Sequence, residues 1–263
     1  MTKGIVPPEY PINAAMGVIP GTTVGTRTGT SSNVPSSIAI ILSNVTSAAF
    51  PSNQPATAQQ MQIVSTSAND TAAGIGIQQI TITYLTAPFP INTLEPFKKK
   101  TEVINMNGVA PVLTNATDIY RIDRFIPTRV GSTGVAMGTI SLQSVGGAIT
   151  FERIEAFETG SNTAAHYVEK GYGTLVTDLA FGCSTAGGTI LFLIVSESDP
   201  SGNRVGLGQL NTELANNATT RTFQTPRVTT NPDGREVFVL MAIKGRASNQ
   251  AASGSFSFID YPL

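Results

Sequence analysis

Strand-like segments separated by turn sequences recur from residue 61 onward, and this rhythm constrains the fold more than any other feature. At 79–84, apolar and polar residues alternate, which is typical of a strand buried on one face. Segments 138–142 and 255–258 repeat this period, whereas 189–195 and 237–243 are apolar on both faces, which predicts central strands. Turn sequences rich in Gly, Asn, Asp, Pro and Ser stand at 105–108, 130–134, 144–148, 199–203 and 231–234.

These signals predict an all-β chain with a β-sandwich or jelly-roll-like architecture. The 263 residues are enough for two β units. We place an extended N-terminal arm at 1–60, a first sandwich unit at 61–150 and a second at 151–263. One short helix is predicted at 207–217, where leucines fall three and four residues apart.

Charge is scarce in the N-terminal part, although charged residues make up 13% of the whole chain. The charged side chains between residues 1 and 97 are Lys3, Glu9, Arg27, Asp70 and Glu95. N-terminal residues with so few charges are either disordered or covered by other protein. Segment 17–37 is rich in Gly, Thr and Ser but carries spaced apolar residues, which favours an arm that orders on a neighbouring subunit over plain disorder.

Composition argues against several classes of partner and site. The formal net charge of −1 and the pI of about 5.9 give no attraction to nucleic acid or to a membrane. One cysteine, Cys183, excludes an internal disulfide and a CxxC site, and one histidine, His166, excludes a His-rich metal site. The longest apolar run, 190–195, is too short to cross a bilayer, and no secretory signal is recognisable. We expect a soluble chain made in a reducing cytosol, with no cofactor and no metal.

A Gly-x-Gly pair, Gly74 and Gly76, follows the acid Asp70 and precedes the strand at 79–84. A dinucleotide loop requires a third glycine, where this chain has Gln79, and a helix after the loop rather than a strand. The pattern therefore predicts a tight turn into a strand. Asp70 is expected to accept hydrogen bonds from backbone N–H groups in the preceding turn.

The candidates for nucleophilic chemistry are few. His166 has Glu169 three residues after it and Ser161 five before it, but no serine lies in a Gly-x-Ser-x-Gly elbow. Cys183 has no basic neighbour that would lower its pKa, so a small buried side chain is expected. No catalytic residue is predicted.

Acidic and basic runs give weak signals. If Glu152, Glu155 and Glu158 lie on one strand, the first and last share a face and Glu155 lies on the other. Two of these acids could form a glycosidase pair, but aromatic residues for a sugar platform are scarce. Glutamates at a subunit contact or in solvent explain the spacing equally well. The lysines at 98–100 are predicted to be solvated at the start of a strand. The turn at 199–203 offers one acid, a poor calcium site.

Three segments together resemble a family of virion structural proteins of tailed bacteriophages. They are "STSANDTAAGIGIQQITITYL" from residue 65, "TEVINMNGVAPV" from residue 101 and "YRIDRFIPTRVGSTGVAMGTISL" from residue 120, and the likeness extends over about residues 60–185. This chain has Met106 where the family pattern has leucine and Asp123 where it has asparagine. The resemblance implies a β-sandwich, a homotrimer and a place among capsid decoration (cement) or accessory proteins. It carries no catalytic residues.

We therefore expect a non-enzymatic decoration protein on the capsid surface, with the major capsid protein and its own copies as partners. Two alternatives stay open. One is a tail, head–tail or fibre-base component of the same virion. The other is an adhesin module that binds host glycans.

Overall fold

The computed structural model describes residues 13, 19–34, 40–41, 54–55, 57–86, 99–161, 164–169, 171–183, 189–198, 204–214, 219–231, 237–245 and 250–263. The predicted all-β fold class is confirmed, because these residues form sixteen strands. The strands are β1 (Thr23–Val34), β2 (Ile40–Ile41), β3 (Met61–Ser65), β4 (Ile77–Thr86), β5 (Lys99–Asn105), β6 (Val112–Leu113), β7 (Ile119–Val130), β8 (Ile140–Ser144), β9 (Thr150–Ile154), β10 (Ala165–Val168), β11 (Tyr172–Cys183), β12 (Thr189–Ser198), β13 (Arg204–Leu214), β14 (Thr219–Asn231), β15 (Val237–Gly245) and β16 (Gln250–Pro262).

The first unit is a sandwich of two antiparallel sheets, ordered β6-β3-β8-β9 and β5-β4-β7. Alternation in β4 builds its core, since Ile80 and Ile82 are fully buried while Thr81 and Thr83 are half-buried on the other face. They pack with residues of the other sheet, such as Ile63 and Leu142, in one apolar cluster. The prediction of a half-buried strand at 79–84 is confirmed.

The second unit contains the sheets β1-β16-β11-β14 and β10-β15-β12-β13, with β2 also paired to β15. The apolar segments predicted as central strands are β12 and β15, and each has neighbours on both sides. In β16, Phe256 and Phe258 are buried while the serines beside them are half-buried, as the alternation predicted.

Strand β1 belongs to the second unit although it precedes the first in sequence. It pairs antiparallel with β16 from Thr23 opposite Asp260 to Val34 opposite Gln250. The segment that we assigned to an arm thus lies, over these residues, against its own chain. The boundary between the units at residue 150 stays a prediction. In the structure β9, which belongs to a sheet of the first unit, ends at Ile154, and β10, which belongs to a sheet of the second unit, begins at Ala165.

The predicted helix at 207–217 is wrong over its described part. Strand β13 occupies residues 204–214 and pairs with β12, with Leu210 opposite Leu193. Gly206 and Gly208 weaken a helix here, and the apolar strand β12 offers a continuous edge for pairing. Residues 215–217 lie outside the described residues. In the described part of the chain, no helix has the length and apolar character needed to span a membrane.

Candidate functional site

Asp70 is the centre of a corner that joins several loops of the first unit. Its carboxylate is fully buried and accepts hydrogen bonds from Ser65 Oγ at 2.6 Å and from the backbone N–H of Ile77 at 2.9 Å. The N–H groups of Met137 and Gly138 donate to the same carboxylate at 3.0 and 2.9 Å. Asp70 thus binds backbone N–H groups as expected, but these groups follow it in sequence, and two of them lie in a distant loop.

The Gly-x-Gly pair is required by close packing around this carboxylate. A Cβ atom on Gly76 would lie 2.1 Å from Asp70 Oδ1, and one on Gly74 would lie 2.1 Å from the backbone oxygen of Asn69. The N–H of Gly76 donates to Asn69 O at 3.1 Å, and that of Gly74 donates to Thr71 O at 2.9 Å. The donors that a phosphate loop would offer are therefore used within the chain.

A second polar cluster surrounds His166, whose side chain is buried. Its Nε2 lies 2.9 Å from Asp260 Oδ1, and its Nδ1 lies 3.1 Å from Arg27 Nη2. A guanidinium nitrogen only donates, so Nδ1 accepts and the ring proton lies on Nε2, which donates to Asp260. Thr174 Oγ1 donates to the same Asp260 oxygen.

Asp123 completes this cluster from the first unit. Its Oδ2 accepts from Arg27 Nη2 at 2.8 Å, and its Oδ1 accepts from the N–H of Tyr167 at 2.9 Å. Burial alone would raise the pKa of Asp123, but the nearby positive charges of Arg27 and Lys99 hold that pKa well below its ordinary value. Asp123 is therefore a buried carboxylate that stays ionised.

The cluster joins the two units. Asp123 lies on β7 of the first unit, whereas Arg27, His166 and Asp260 lie on β1, β10 and β16 of the second. The ring of Phe258 stacks on His166 with centroids 3.7 Å apart and lies 4.9 Å from the Arg27 guanidinium carbon. We call Arg27, Asp123, His166 and Asp260 the inter-unit network.

Among the described residues of the inter-unit network, no hydroxyl or thiol is hydrogen-bonded to His166 as a nucleophile would be. Among the described residues, the ring nitrogens of His166 bind Arg27 and Asp260, and the nearby hydroxyl, on Thr174, donates to the acid rather than to the imidazole. Glu169 lies 3.8 Å from Lys99 instead of at the histidine. Among the residues that the structure describes, no hydrogen bond joins His166 to Ser161.

The other sequence candidates fall in separate places. Cys183 is the last residue of β11 and pairs with Ala252 of β16. Its side chain is outside the part of the chain that the structure describes. Lys99 is mostly buried rather than solvated, because it faces Asp123 and Glu169 at 3.7 and 3.8 Å. Lys100 is exposed, as predicted, and Lys98 and 199–203 lie outside the described residues.

The glutamates do not share one strand, so the condition under which Glu152 and Glu158 would lie on the same face is not met. Strand β9 ends at Ile154, and Glu155 and Glu158 lie in the turn that follows. Glu152 is buried on β9, whereas Glu155 lies 3.6 Å from Arg153. Within the described ranges, no group of three or more His, Cys, Asp or Glu side chains is arranged to hold a metal ion.

Sequence reasoning missed the partners of His166. The usable signal was Asp123, an acid in the middle of β7 that is buried beside the core residue Ile122. A charged residue in a buried position requires a charged or hydrogen-bonding partner. The partner itself was not predictable, since Arg27 lies 96 residues away in sequence.

No protein-family model matches the chain, and no curated protein matches it. The structure of the Gx strain of infectious bursal disease virus is 12% identical, with 100% of this chain and 79% of that chain covered and a TM-score of 0.23. The Gt strain structure is 10% identical, with 92% and 82% covered and a TM-score of 0.15. The VP2 subviral particle of the same virus is 10% identical, with 98% and 87% covered and a TM-score of 0.14. TM-scores this low carry no inference about fold or function.

Proposed function

We propose that the chain is a non-enzymatic structural protein of a tailed-phage virion, and more specifically a decoration protein. It would bind the shell of major capsid protein from outside as a homotrimer and stabilise that shell. The proposal starts from the family resemblance of residues 65–142.

The observation that carries this proposal is the role of Asp70. The Asp-Thr-Ala-x-Gly-x-Gly pattern within the family-like segment forms a corner in which the acid accepts one hydroxyl and three backbone hydrogen bonds. A buried acid used in this way fixes loop positions. A signature made of folding residues suits a protein whose task is to present a rigid surface.

The inter-unit network supports the same proposal. His166, the residue best suited to acid–base chemistry, is buried and bound on both ring nitrogens by its own chain. Its geometry is that of a joint between two β units. Scarce charge between residues 1 and 97 adds support, because surfaces that assembly covers need few charges.

Copy number in the purified virion tests the proposal and separates it from its nearest alternative. A decoration protein is expected in a number comparable to that of the major capsid protein in quantitative gel densitometry. A tail, head–tail or fibre-base component would give a few copies for each particle, and absence from washed particles would overturn both.

An adhesin that binds host glycans is the alternative from another class. A glycan array separates it from the structural role, since a decoration protein is expected to bind no glycan at micromolar concentration. Specific binding there would overturn the decoration proposal in favour of host recognition.

A further inference from the structure

The turn between β5 and β6 contains the sequence Asn107-Gly108, and asparagine is followed by glycine nowhere else in the chain. This dipeptide is prone to attack itself, because glycine has no side chain to keep its peptide nitrogen away from the asparagine side-chain amide. Asn107 is exposed, so water and base reach that amide. The pair is therefore a candidate for spontaneous chemical modification.

The fold requires glycine as the second residue of this pair. Gly108 has a φ of 60°, and the N–H of Ala110 donates to Asn107 O at 3.2 Å, which closes a turn around it. A Cβ atom at position 108 would lie 3.1 Å from Ala68 Cα. Asn-Gly is a sequence that suits tight turns with a positive φ. The turn and the reactive dipeptide thus come from the same two residues.

Hydrogen bonds in the folded chain hold the nitrogen that would attack. An isolated antiparallel bridge pairs Asn107 with Thr71. In this bridge the N–H of Gly108 donates to Asp70 O at 2.7 Å, and the carbonyl oxygen of Gly108 accepts from the N–H of Ser65 at 2.9 Å. Attack on the side-chain amide requires the Gly108 nitrogen to lose its proton and rotate. The reaction therefore needs this bridge to open first.

The side chain of Asp70 determines how readily the bridge opens. Its buried carboxylate accepts one hydroxyl and three backbone hydrogen bonds, which fix the residue whose carbonyl oxygen binds the Gly108 N–H. Local opening of a folded chain is governed by the hydrogen bonds and packing that the opening breaks. Loss of a bond to this carboxylate should therefore raise the population of the opened, reactive state.

We propose that Asn107 is a site of spontaneous deamidation and that the hydrogen bonds of Asp70 control its rate. In the opened state the Gly108 nitrogen gives its proton to solvent base and forms a bond to Asn107 Cγ. The bond from Cγ to Nδ2 breaks, and Nδ2 takes up a proton and leaves as ammonia, so that a cyclic succinimide remains. Water then opens the ring at one of its two carbonyl carbons and gives aspartate or isoaspartate. No oxidant, reductant or enzyme is needed.

The isoaspartate product would disrupt the structure that slows its own formation. Its main chain runs through the former side-chain methylene, which adds one carbon between Asn107 and Gly108. The bridge to Thr71 depends on regular residue spacing, so its two partners would no longer match in register. The aspartate product adds a charge at an exposed position and keeps the normal spacing. The two products should therefore differ in stability.

Peptide mapping by mass spectrometry, after incubation of the full chain at mildly alkaline pH, tests the site and its protection. In a chain unfolded with urea, Asn107 is expected to deamidate more than about 10-fold faster than in the folded chain, which reacts from its opened state alone. Asn115 is the reference in each sample, since it is exposed but precedes Ala116, whose methyl group hinders attack. Equal rates at Asn107 in folded and unfolded chains would overturn the protection. A rate no higher than that of Asn115 in the unfolded chain would overturn the site.

Three variants test the control by Asp70. Asp70→Asn is expected to speed deamidation of the folded chain at Asn107 more than about 5-fold, because a buried hydrogen bond is lost. Ser65→Ala is a milder change that removes the hydroxyl donor to Asp70, and it should act in the same direction. Asp118→Asn is the matched control, an exposed acid whose loss should leave the rate unchanged. Wild-type rates in both corner variants, or an equal acceleration in the control, would overturn this control of the rate.

The melting temperatures of the products test the structural consequence. Chains that carry isoaspartate at position 107, separated by chromatography and identified by methylation with an isoaspartyl methyltransferase, are expected to melt below the wild type. Asn107→Asp, which adds the charge without the extra carbon, should melt close to the wild type. Equal melting temperatures for the isoaspartyl chain and Asn107→Asp would contradict the loss of register. None of these results depends on the proposed function.

Discussion

Two buried aspartates hold this protein together by different physical means. Asp70 is bound by neutral donors, namely backbone N–H groups and one hydroxyl. Asp123 is bound by the Arg27 guanidinium, with the Lys99 ammonium 3.7 Å away. The first carboxylate fixes loops within one unit, and the second joins two units.

Replacing Asp70 with asparagine tests the corner. The amide NH₂ group cannot accept a hydrogen bond, so at least one buried N–H loses its partner, which we expect to lower the free energy of unfolding by about 1–3 kcal/mol. Chemical denaturation at neutral pH measures this change. Asp118→Asn is the control, because Asp118 is an exposed acid paired with Lys100 and should change stability by less than about 1 kcal/mol. Equal effects of the two substitutions would contradict the role assigned to Asp70.

Acid titration tests the ionised state of Asp123. Its pKa is lower in the folded chain than the unfolded value of about 4, so its contribution to stability is present above that value. This contribution is lost as the pH falls from about 4 through the folded pKa. We expect the unfolding free energy of the wild type to fall more steeply below pH 4 than that of Asp123→Asn. The same slope in both proteins would contradict the assignment.

Substitution of alanine for Gly76 and for Gly160 distinguishes the effect of a steric clash from the general effect of replacing a flexible glycine. A Cβ on Gly76 would overlap Asp70 Oδ1, whereas a Cβ on Gly160 meets nothing within 4 Å. Gly76→Ala is expected to lower the melting temperature by several degrees, while Gly160→Ala should leave it unchanged or slightly raised. Differential scanning calorimetry measures both melting temperatures. An unchanged melting temperature in Gly76→Ala would contradict the close packing of Gly76 against Asp70.

At the scale of elements, strands with one buried face were predictable from sequence and partner-dependent elements were not. The alternation in β4 follows from its own inward isoleucines. Strand β13 has a helix-like spacing of leucines, and its structure depends on pairing with β12. Pairing of β1 with β16 likewise depends on residues more than 200 positions away. A local pattern cannot carry such information.

Two truncations test whether β1 is part of the fold. Removing residues 1–37 deletes β1 and Arg27, which leaves Asp123 without its closest cation, so we expect loss of cooperative unfolding or a strongly lowered melting temperature. Removing residues 1–18 leaves β1 and Arg27 in place and should lower the melting temperature less. Circular dichroism melts compare the two. An unchanged melt after removal of 1–37 would show that β1 is dispensable.

At the scale of the whole molecule, the first unit is inserted between β1–β2 and the rest of the second unit. The chain therefore passes between the units twice, once before β3 and once after β9. The inter-unit network lies where strands of both units meet, and its closest partners are 94 and 96 residues apart in sequence. Its residue types were visible in the sequence, but their juxtaposition was not, because it depends on this insertion.

Cryo-electron microscopy of the intact virion tests the central claim most directly, because it fixes the position, copy number and contacts of the chain together. A decoration role predicts repeated density for this all-β chain over the whole outer shell, in contact with capsid subunits. Density for the chain at a single vertex, or none in particles that contain every other structural protein, would contradict it.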